Sequence, residues 1–253
     1  MITTIIQETW TGFIREFTGS NVELRIENGE WRIELVNFKT SKDYEYNLKR
    51  VIEIIQNSPA GFLLFPEVCL TGFDYENWDE VNKFGEYAIK ELSKLNKPFA
   101  LTLIYNNKNY FCLFENGLKY KRAKYNLFGD ENRHFEIGCK PEIFEFRGLK
   151  CANLICFELR FLEYWQHFRG VDIIFVPARW GKERIEHFKT LNKALALSTQ
   201  SQVIAVNSAN EYAWGCSFDA WGEGVEFNVE KNISFVDLNK NRKIRKKLNI
   251  GIE

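Results

Sequence analysis

The stretch Gly61-Phe62-Leu63-Leu64-Phe65-Pro66-Glu67 decides the fold class. Residues 62–65 are wholly apolar, so a strand built from them has no polar face to give to water and must be covered on both sides. Upstream, residues 31–38 read as a strand and Ser41 as a helix N-cap. Tyr44, Leu48, Val51, Ile52 and Ile55 then recur at helical spacing. Downstream, Phe84, Ala88, Leu92 and Leu95 mark a second amphipathic helix, ended by Pro98. Residues 99–105, 109–114 and 118–122 are predicted strands, punctuated by Asn106-Asn107 and Asn116-Gly117. Residues 142–146 and 150–155 pair across Arg147-Gly148. A helix over 161–168, a buried strand over 172–176, a long helix carrying Ile185, Phe188, Leu191 and Leu195, and a strand over 203–206 follow. Residues 225–229 and 233–238 read as a hairpin turning near Lys231-Asn232. Before Trp31 the pattern is weak, with alternation at 22–26 and a turn at Asn28-Gly29. Strands and helices that alternate, with hairpins interleaved, predict a layered α/β fold in which helices cover a mixed sheet. Without repeats or a linker, residues 1–253 read as one domain, in which the favoured first strand is 31–38 after an N-terminal extension over 1–30, the alternative being a first strand at 1–7 with a long insertion following.

Composition excludes several classes of function. The chain has 253 residues, with 34 basic and 34 acidic side chains. That balance argues against nucleic-acid binding, which rests on an excess of Lys and Arg over phosphates. No apolar run approaches the roughly 18 residues that span a bilayer. Residues 1–7 lack the basic and long apolar regions of a signal peptide, so a cytoplasmic location is expected. The six cysteines (Cys69, Cys112, Cys139, Cys151, Cys156, Cys216) form no Cys-x-x-Cys pair, and the three histidines show no zinc-like spacing. No metal is therefore expected, and reduced thiols packing as small hydrophobes are the simplest account of the cysteines.

Three segments place reactive groups where strands end. Glu67 follows the buried strand and precedes a loop containing Gly72, at the kind of strand C-terminus that lines a ligand crevice. It is a candidate general base or an ordinary loop carboxylate. Lys124 ends the basic segment Lys119-Tyr120-Lys121-Arg122-Ala123-Lys124. That segment reads either as a solvated strand edge or as the source of an ammonium that stabilises an oxyanion. In Leu154-Ile155-Cys156-Phe157-Glu158-Leu159-Arg160-Phe161, Cys156 ends an apolar strand and opens a helix. Free N–H groups and the helix dipole there favour a thiolate, so a nucleophile and a packed thiol stand as equal readings. No histidine lies near it in sequence, which leaves Glu67 as the available activator.

Glu67, Lys124 and Cys156, in that order and with these neighbours, resemble the motifs of the nitrilase (carbon–nitrogen hydrolase) superfamily. Phe65-Pro66-Glu67 with Leu70-Thr71-Gly72 is similar to its glutamate motif, Lys124 with Asn126-Leu127-Phe128 to its lysine motif, and the segment 154–161 to its nucleophile motif. Glu131, followed by Phe135 and Gly138, stands where the family has a second active-site glutamate. The resemblance spans about 31–238. It departs at Leu162, where a proline is usual, at Asn37, where a strand-ending glutamine is common, and in a short C-terminal region.

The resemblance implies a four-layer αββα sandwich with mixed sheets, and hydrolysis of a non-peptide C–N bond without cofactor. It implies Glu67 as base, Cys156 as nucleophile, Lys124 and the Phe157 backbone N–H at the oxyanion, and Glu131 holding Lys124. Pro177-Ala178-Arg179-Trp180 carries Trp180 to the same crevice and resembles the omega-amidase branch, which acts on small carboxylated amides. Arg160 or Arg179 is then a partner for the substrate carboxylate, and Arg160 is equally a structural brace. An N-carbamoyl amine hydrolase, a nitrilase, or a non-catalytic binding or scaffold module of the same fold are the alternatives. The family's assemblies imply a homodimer or larger homo-oligomer. The tail 240–247, with six basic residues in eight, reads as a solvated end or a dimer-contact arm.

Overall fold

In the computed structural model, which describes residues 30–227 and 233–248, the strands fall into two six-stranded sheets. The first half of the chain runs β1 (Glu30–Leu35), α1 (Tyr44–Asn57), β2 (Phe62–Leu64), α2 (Trp78–Leu92), β3 (Phe99–Tyr105), β4 (Lys108–Phe114) and β5 (Leu118–Ala123). The second half runs β6 (Phe144–Phe146), β7 (Leu149–Asn153), α3 (Leu162–His167), β8 (Ile173–Ala178), α4 (Ile185–Thr199), β9 (Gln202–Asn207), β10 (Trp214–Phe218), β11 (Gly224–Phe227), β12 (Ile233–Asp237) and α5 (Leu238–Leu248). The sheet orders are β12-β1-β2-β3-β4-β5 and β11-β10-β9-β8-β7-β6. In the first, β1, β2 and β3 are parallel and the remaining pairs antiparallel. In the second, β7, β8 and β9 are parallel.

The apolar run at 62–65 is buried on both faces, and the two faces meet different partners. Phe62 and Leu64 enter the core that both sheets share, where Phe62 stacks on Phe175 of β8 at 5.2 Å between ring centroids. Leu63 and Phe65 point the other way, to Leu48, Val51 and Ile55 of α1 and Ala88 and Leu92 of α2. Beyond the second sheet the shared core continues to Trp165 of α3 and to Phe188 and Leu195 of α4. The result is an αββα sandwich with mixed sheets. One contact sets how closely α2 lies on its sheet: a Cβ at Gly85 would stand 1.8 Å from the Ile104 carbonyl oxygen. The hairpin turns at Asn106-Asn107 and Arg147-Gly148 have positive φ at both positions, as two-residue loops that match strand twist require.

Four expectations are corrected. The α1 N-cap is Asp43, whose carboxylate accepts the Tyr46 N–H at 2.9 Å, and the Ser41 hydroxyl instead accepts from the Asp43 N–H. The described parts of 225–229 and 233–238 do not pair with each other. β11 pairs with β10, and β12 pairs with β1 in the other sheet, while the turn near Lys231-Asn232 lies outside the described residues. The basic tail is α5, a helix that buries Asn241 and Arg245 while Lys243, Lys246 and Lys247 stay at the surface. Finally, Cys156 does not itself open a helix: residues Cys156–Arg160 form a 3-10 turn, and the helix expected over 161–168 follows as α3 (Leu162–His167). The features read at 1–7, 22–26 and 28–29 lie outside the described residues.

Candidate active site

Strand direction gathers the candidates. β5 is antiparallel to β4, which is antiparallel to β3, which is parallel to β2, so β2 and β5 end on one side of their sheet. Glu67 follows β2 and Lys124 follows β5. In the second sheet the parallel strands β7 and β8 end together, and they deliver Cys156 and Trp180. A hydrogen bond from the Glu67 N–H to the Ala178 carbonyl, at 3.4 Å, ties these ends across the sandwich.

At the centre is one ammonium between two carboxylates. Lys124 Nζ lies 2.9 Å from Glu67 Oε1 and 2.9 Å from Glu131 Oε1. The side chains of Glu67 and Lys124 are wholly buried, and that of Glu131 nearly so. Asn109, at the start of β4, donates a further 2.9 Å hydrogen bond to Glu67 Oε1. Glu67 Oε2 has no hydrogen-bond partner among the described residues, which leaves a buried carboxylate lone pair able to take a proton. Glu131 Oε2 accepts the Phe128 N–H at 2.8 Å, so this carboxylate is held at both oxygens. Burial works to depress the Lys124 pKa, but Glu67 and then Glu131 outweigh it and hold the ammonium above its ordinary value. Burial raises the Glu131 carboxyl, with Lys124 opposing and Glu67 reinforcing the shift.

Cys156 stands at the opening of its turn with φ of +51°, a conformation that costs a non-glycine residue about 1–3 kcal/mol and persists only where the surroundings impose it. The imposing groups are visible. Buried Glu158 accepts the Ile155 N–H at 2.8 Å on one oxygen and the Tyr125 N–H at 2.8 Å on the other, joining the nucleophile turn to the residue after Lys124. Arg122 clamps the same carboxylate through two guanidinium nitrogens at 2.9 and 2.5 Å, and also donates to Asn153 Oδ1. The basic segment 119–124 is therefore not a solvated edge throughout: Arg122 is a buried strut and Lys124 a buried charge. The helix dipole expected to favour a thiolate is replaced by a short 3-10 turn. Burial, and then the Glu67 charge, push the Cys156 thiol well above its ordinary value against the pull of Lys124.

A cavity of about 340 Å³ opens on Cys156, and Glu67, Glu131, Phe157, Arg160 and Trp180 also line it. Lys124 is enclosed behind the two carboxylates. Every residue named from sequence thus reaches one place. The Arg160 guanidinium lies 4.6 Å from the centre of the Trp180 ring and 3.2 Å from His187 Nδ1. Trp180 is buried, with its Nε1 unpartnered among the described residues. Arg179 is committed to Glu211, at 2.9 Å. Sequence reasoning missed Asn109, Arg122, Glu158, Phe73, Phe128 and Arg184. Glu158 was visible inside the nucleophile motif, but nothing in the sequence signalled its partner 36 residues away. Among the described residues there is no cluster of His, Cys, Asp and Glu suited to a metal ion, and no helix long and apolar enough to cross a membrane.

No family model matches the chain. It is 27% identical over 248 residues to the 2-oxoglutaramate amidase of Bacillus subtilis (strain 168), covering 87% of this chain and 95% of that one. It is 27% identical over 166 residues to Omega-amidase YafV of Escherichia coli (strain K12), covering 62% and 65%. Among solved structures, the CN-hydrolase superfamily protein XC1258 from Xanthomonas campestris, which has an arsenic adduct in its active site, superposes with a TM-score of 0.73 at 20% identity, over 87% of this chain and 95% of that one.

Proposed function

The chain belongs to the carbon–nitrogen hydrolase (nitrilase) superfamily, and on that premise we propose that it is a thiol amidohydrolase that cleaves a small carboxylated amide through a cysteine thioester. The observation that carries the reading is the buried Lys124 ammonium held 2.9 Å from both Glu67 and Glu131 beside Cys156. Glu67 Oε2 accepts the thiol proton as Cys156 attacks the amide carbon, so no standing thiolate is needed. Lys124 and the Phe157 backbone N–H stabilise the oxyanion of the tetrahedral intermediate. The proton held by Glu67 passes to the leaving nitrogen, and ammonia departs. Glu67 then takes a proton from water, whose oxygen attacks the thioester and releases the acid and the thiol. Glu131 keeps Lys124 in place and shares its charge with Glu67. The omega-amidase-like assignment follows the named relatives and the Arg160–Trp180 wall.

One catalytic domain, a reducing compartment such as the cytoplasm, and a homodimer or larger homo-oligomer complete the reading. All six cysteines are free, which suits a reducing compartment. The deciding experiment is an ammonia-release screen of succinamic acid, N-carbamoyl amines and nitriles, with mass spectrometry of the trapped intermediate. Release from the monoamide with an acyl adduct on Cys156 supports the reading. An adduct on another cysteine, or release only from carbamoyl amines or nitriles, overturns it.

A further inference from the structure

Three arginines line the cavity, and they differ in what already neutralises them. Arg179 is spent on Glu211, through Nε at 3.0 Å and a second nitrogen at 2.9 Å. Arg160 hydrogen-bonds His187 and lies on the Trp180 ring. The guanidinium of Arg184, exposed at the end of the turn Lys182–Arg184, has no carboxylate and no hydrogen-bond partner among the described residues. Its recorded contact is with the ring of Phe128, 5.0 Å from the centroid, and Phe128 in turn packs on Phe157 at 5.0 Å. An aromatic platform thus holds a planar cation against the cavity wall with its N–H donors unspent.

We propose that Arg184 is the specificity residue of this site, taking the carboxylate of a short-chain monoamide in a bidentate pair while the neutral amide end lies at Cys156. The proposal deepens the amidohydrolase reading and rests on it for the identity of the bond cleaved. Charge sets the direction of binding. Reversed, the substrate would press its carboxylate against Glu67 and Glu131, two acids that share a single ammonium. A volume of about 340 Å³ lies near the lower end of small-molecule sites, which limits the chain between the two ends. Arg160 adds positive potential from the neighbouring wall, but its hydrogen bond to His187 makes it the poorer fork.

The test compares Arg184→Met and Arg184→Lys with the parent chain in two ways. Turnover is read as the ratio of kcat/KM for succinamic acid to that for uncharged succinamide. Thiol access is read as the ratio of Cys156 inactivation rates by iodoacetate and iodoacetamide, which needs no hydrolysis. Arg184→Met lowers both ratios by about 10- to 100-fold, the range of a charge-assisted hydrogen bond lost, and Arg184→Lys recovers part of each. Because Arg184 is exposed and Lys keeps the charge, a folding defect would reduce both reagents and both amides alike. Reagent ratios within twofold of the parent overturn the proposal even if the amides are hydrolysed. Conversely, a parent that hydrolyses neither amide refutes the amidohydrolase reading, while a reagent ratio that still falls in Arg184→Met upholds the anion site.

Discussion

At the scale of single residues, the two oxygens of Glu67 are in unlike circumstances. Oε1 accepts from Lys124 and Asn109, and Oε2 has no hydrogen-bond partner among the described residues. In Glu67→Gln the amide cannot take the thiol proton, so turnover falls by about 10²–10⁴-fold while the thermal unfolding transition persists. Near-parental turnover would place the base elsewhere. The same variant tests the electrostatics. The Glu67 charge is the second cause, after burial, of the raised Cys156 pKa, so removing it moves thiol ionisation to lower pH. The check is thiolate ultraviolet absorbance, taken as the difference between chains with and without Cys156. A midpoint that stays or rises refutes the coupling. Lys124→Ala removes the cation that two buried carboxylates share, and costs roughly 100-fold or more in kcat if its charge serves the oxyanion. An unchanged rate would end that role. Glu67, Lys124 and Cys156 were noticeable in the sequence as reactive types where strands end, but their residue chemistry alone left the ordinary packing readings open, and Glu131 was singled out only by the resemblance to the family's ordered motifs. The direction of the thiol shift was not legible: the expected helix dipole is local, but the carboxylate that outweighs it comes from the other sheet.

At the scale of elements, the nucleophile turn is held by a strut between sheets. The Arg122 and Glu158 side chains are 1% and 0% exposed, and β5 supplies the arginine while the turn after β7 supplies the acid. Arg122→Met strands the Glu158 charge and lowers stability by about 3–5 kcal/mol, measured by urea unfolding. Adding Glu158→Gln to it recovers part of that loss, and a single-variant loss below about 1 kcal/mol would show the pair to be dispensable. On the opposite face, Gly85→Ala forces α2 off its sheet, because the added Cβ meets the Ile104 carbonyl at 1.8 Å, and costs about 1–3 kcal/mol in the same measurement. Neither role was readable from the local pattern. Arg122 sits in a run of basic residues that looks like a wet edge, and Gly85 interrupts a helical repeat without announcing the backbone above it.

At the scale of the whole molecule, consecutive strands β11 and β12 leave for opposite sheets, and α5 closes the end of the chain. Arg245 fastens that helix by donating to the Gln200 carbonyl at 2.8 Å and the Val171 carbonyl at 2.6 Å, close to Asp172. Arg245→Ala leaves both carbonyls unpaired and lowers stability by about 2–3 kcal/mol by urea unfolding, and a loss within error would mean that α5 is held by its apolar face alone. The hairpin expected at the C-terminus shows why such pairings escape a linear reading. Residues 225–229 and 233–238 have the right period and spacing for each other, but β1 and β10 each present an open edge that buries more of them, and β1 lies some 200 residues away in the chain. By itself the sequence determined the layered α/β class and the strand over 62–65 covered on both faces, because burial period is a local property, and it offered Glu67, Lys124 and Cys156 as candidates at strand ends. Tertiary structure alone decided which strand edges pair, that Lys124 is shared by two carboxylates, that Arg122 and Glu158 brace the strained Cys156, and that Arg184 is left with an unspent charge on the cavity wall. Each of these depends on distances between groups far apart in the chain, and those distances exist only once both sheets have packed.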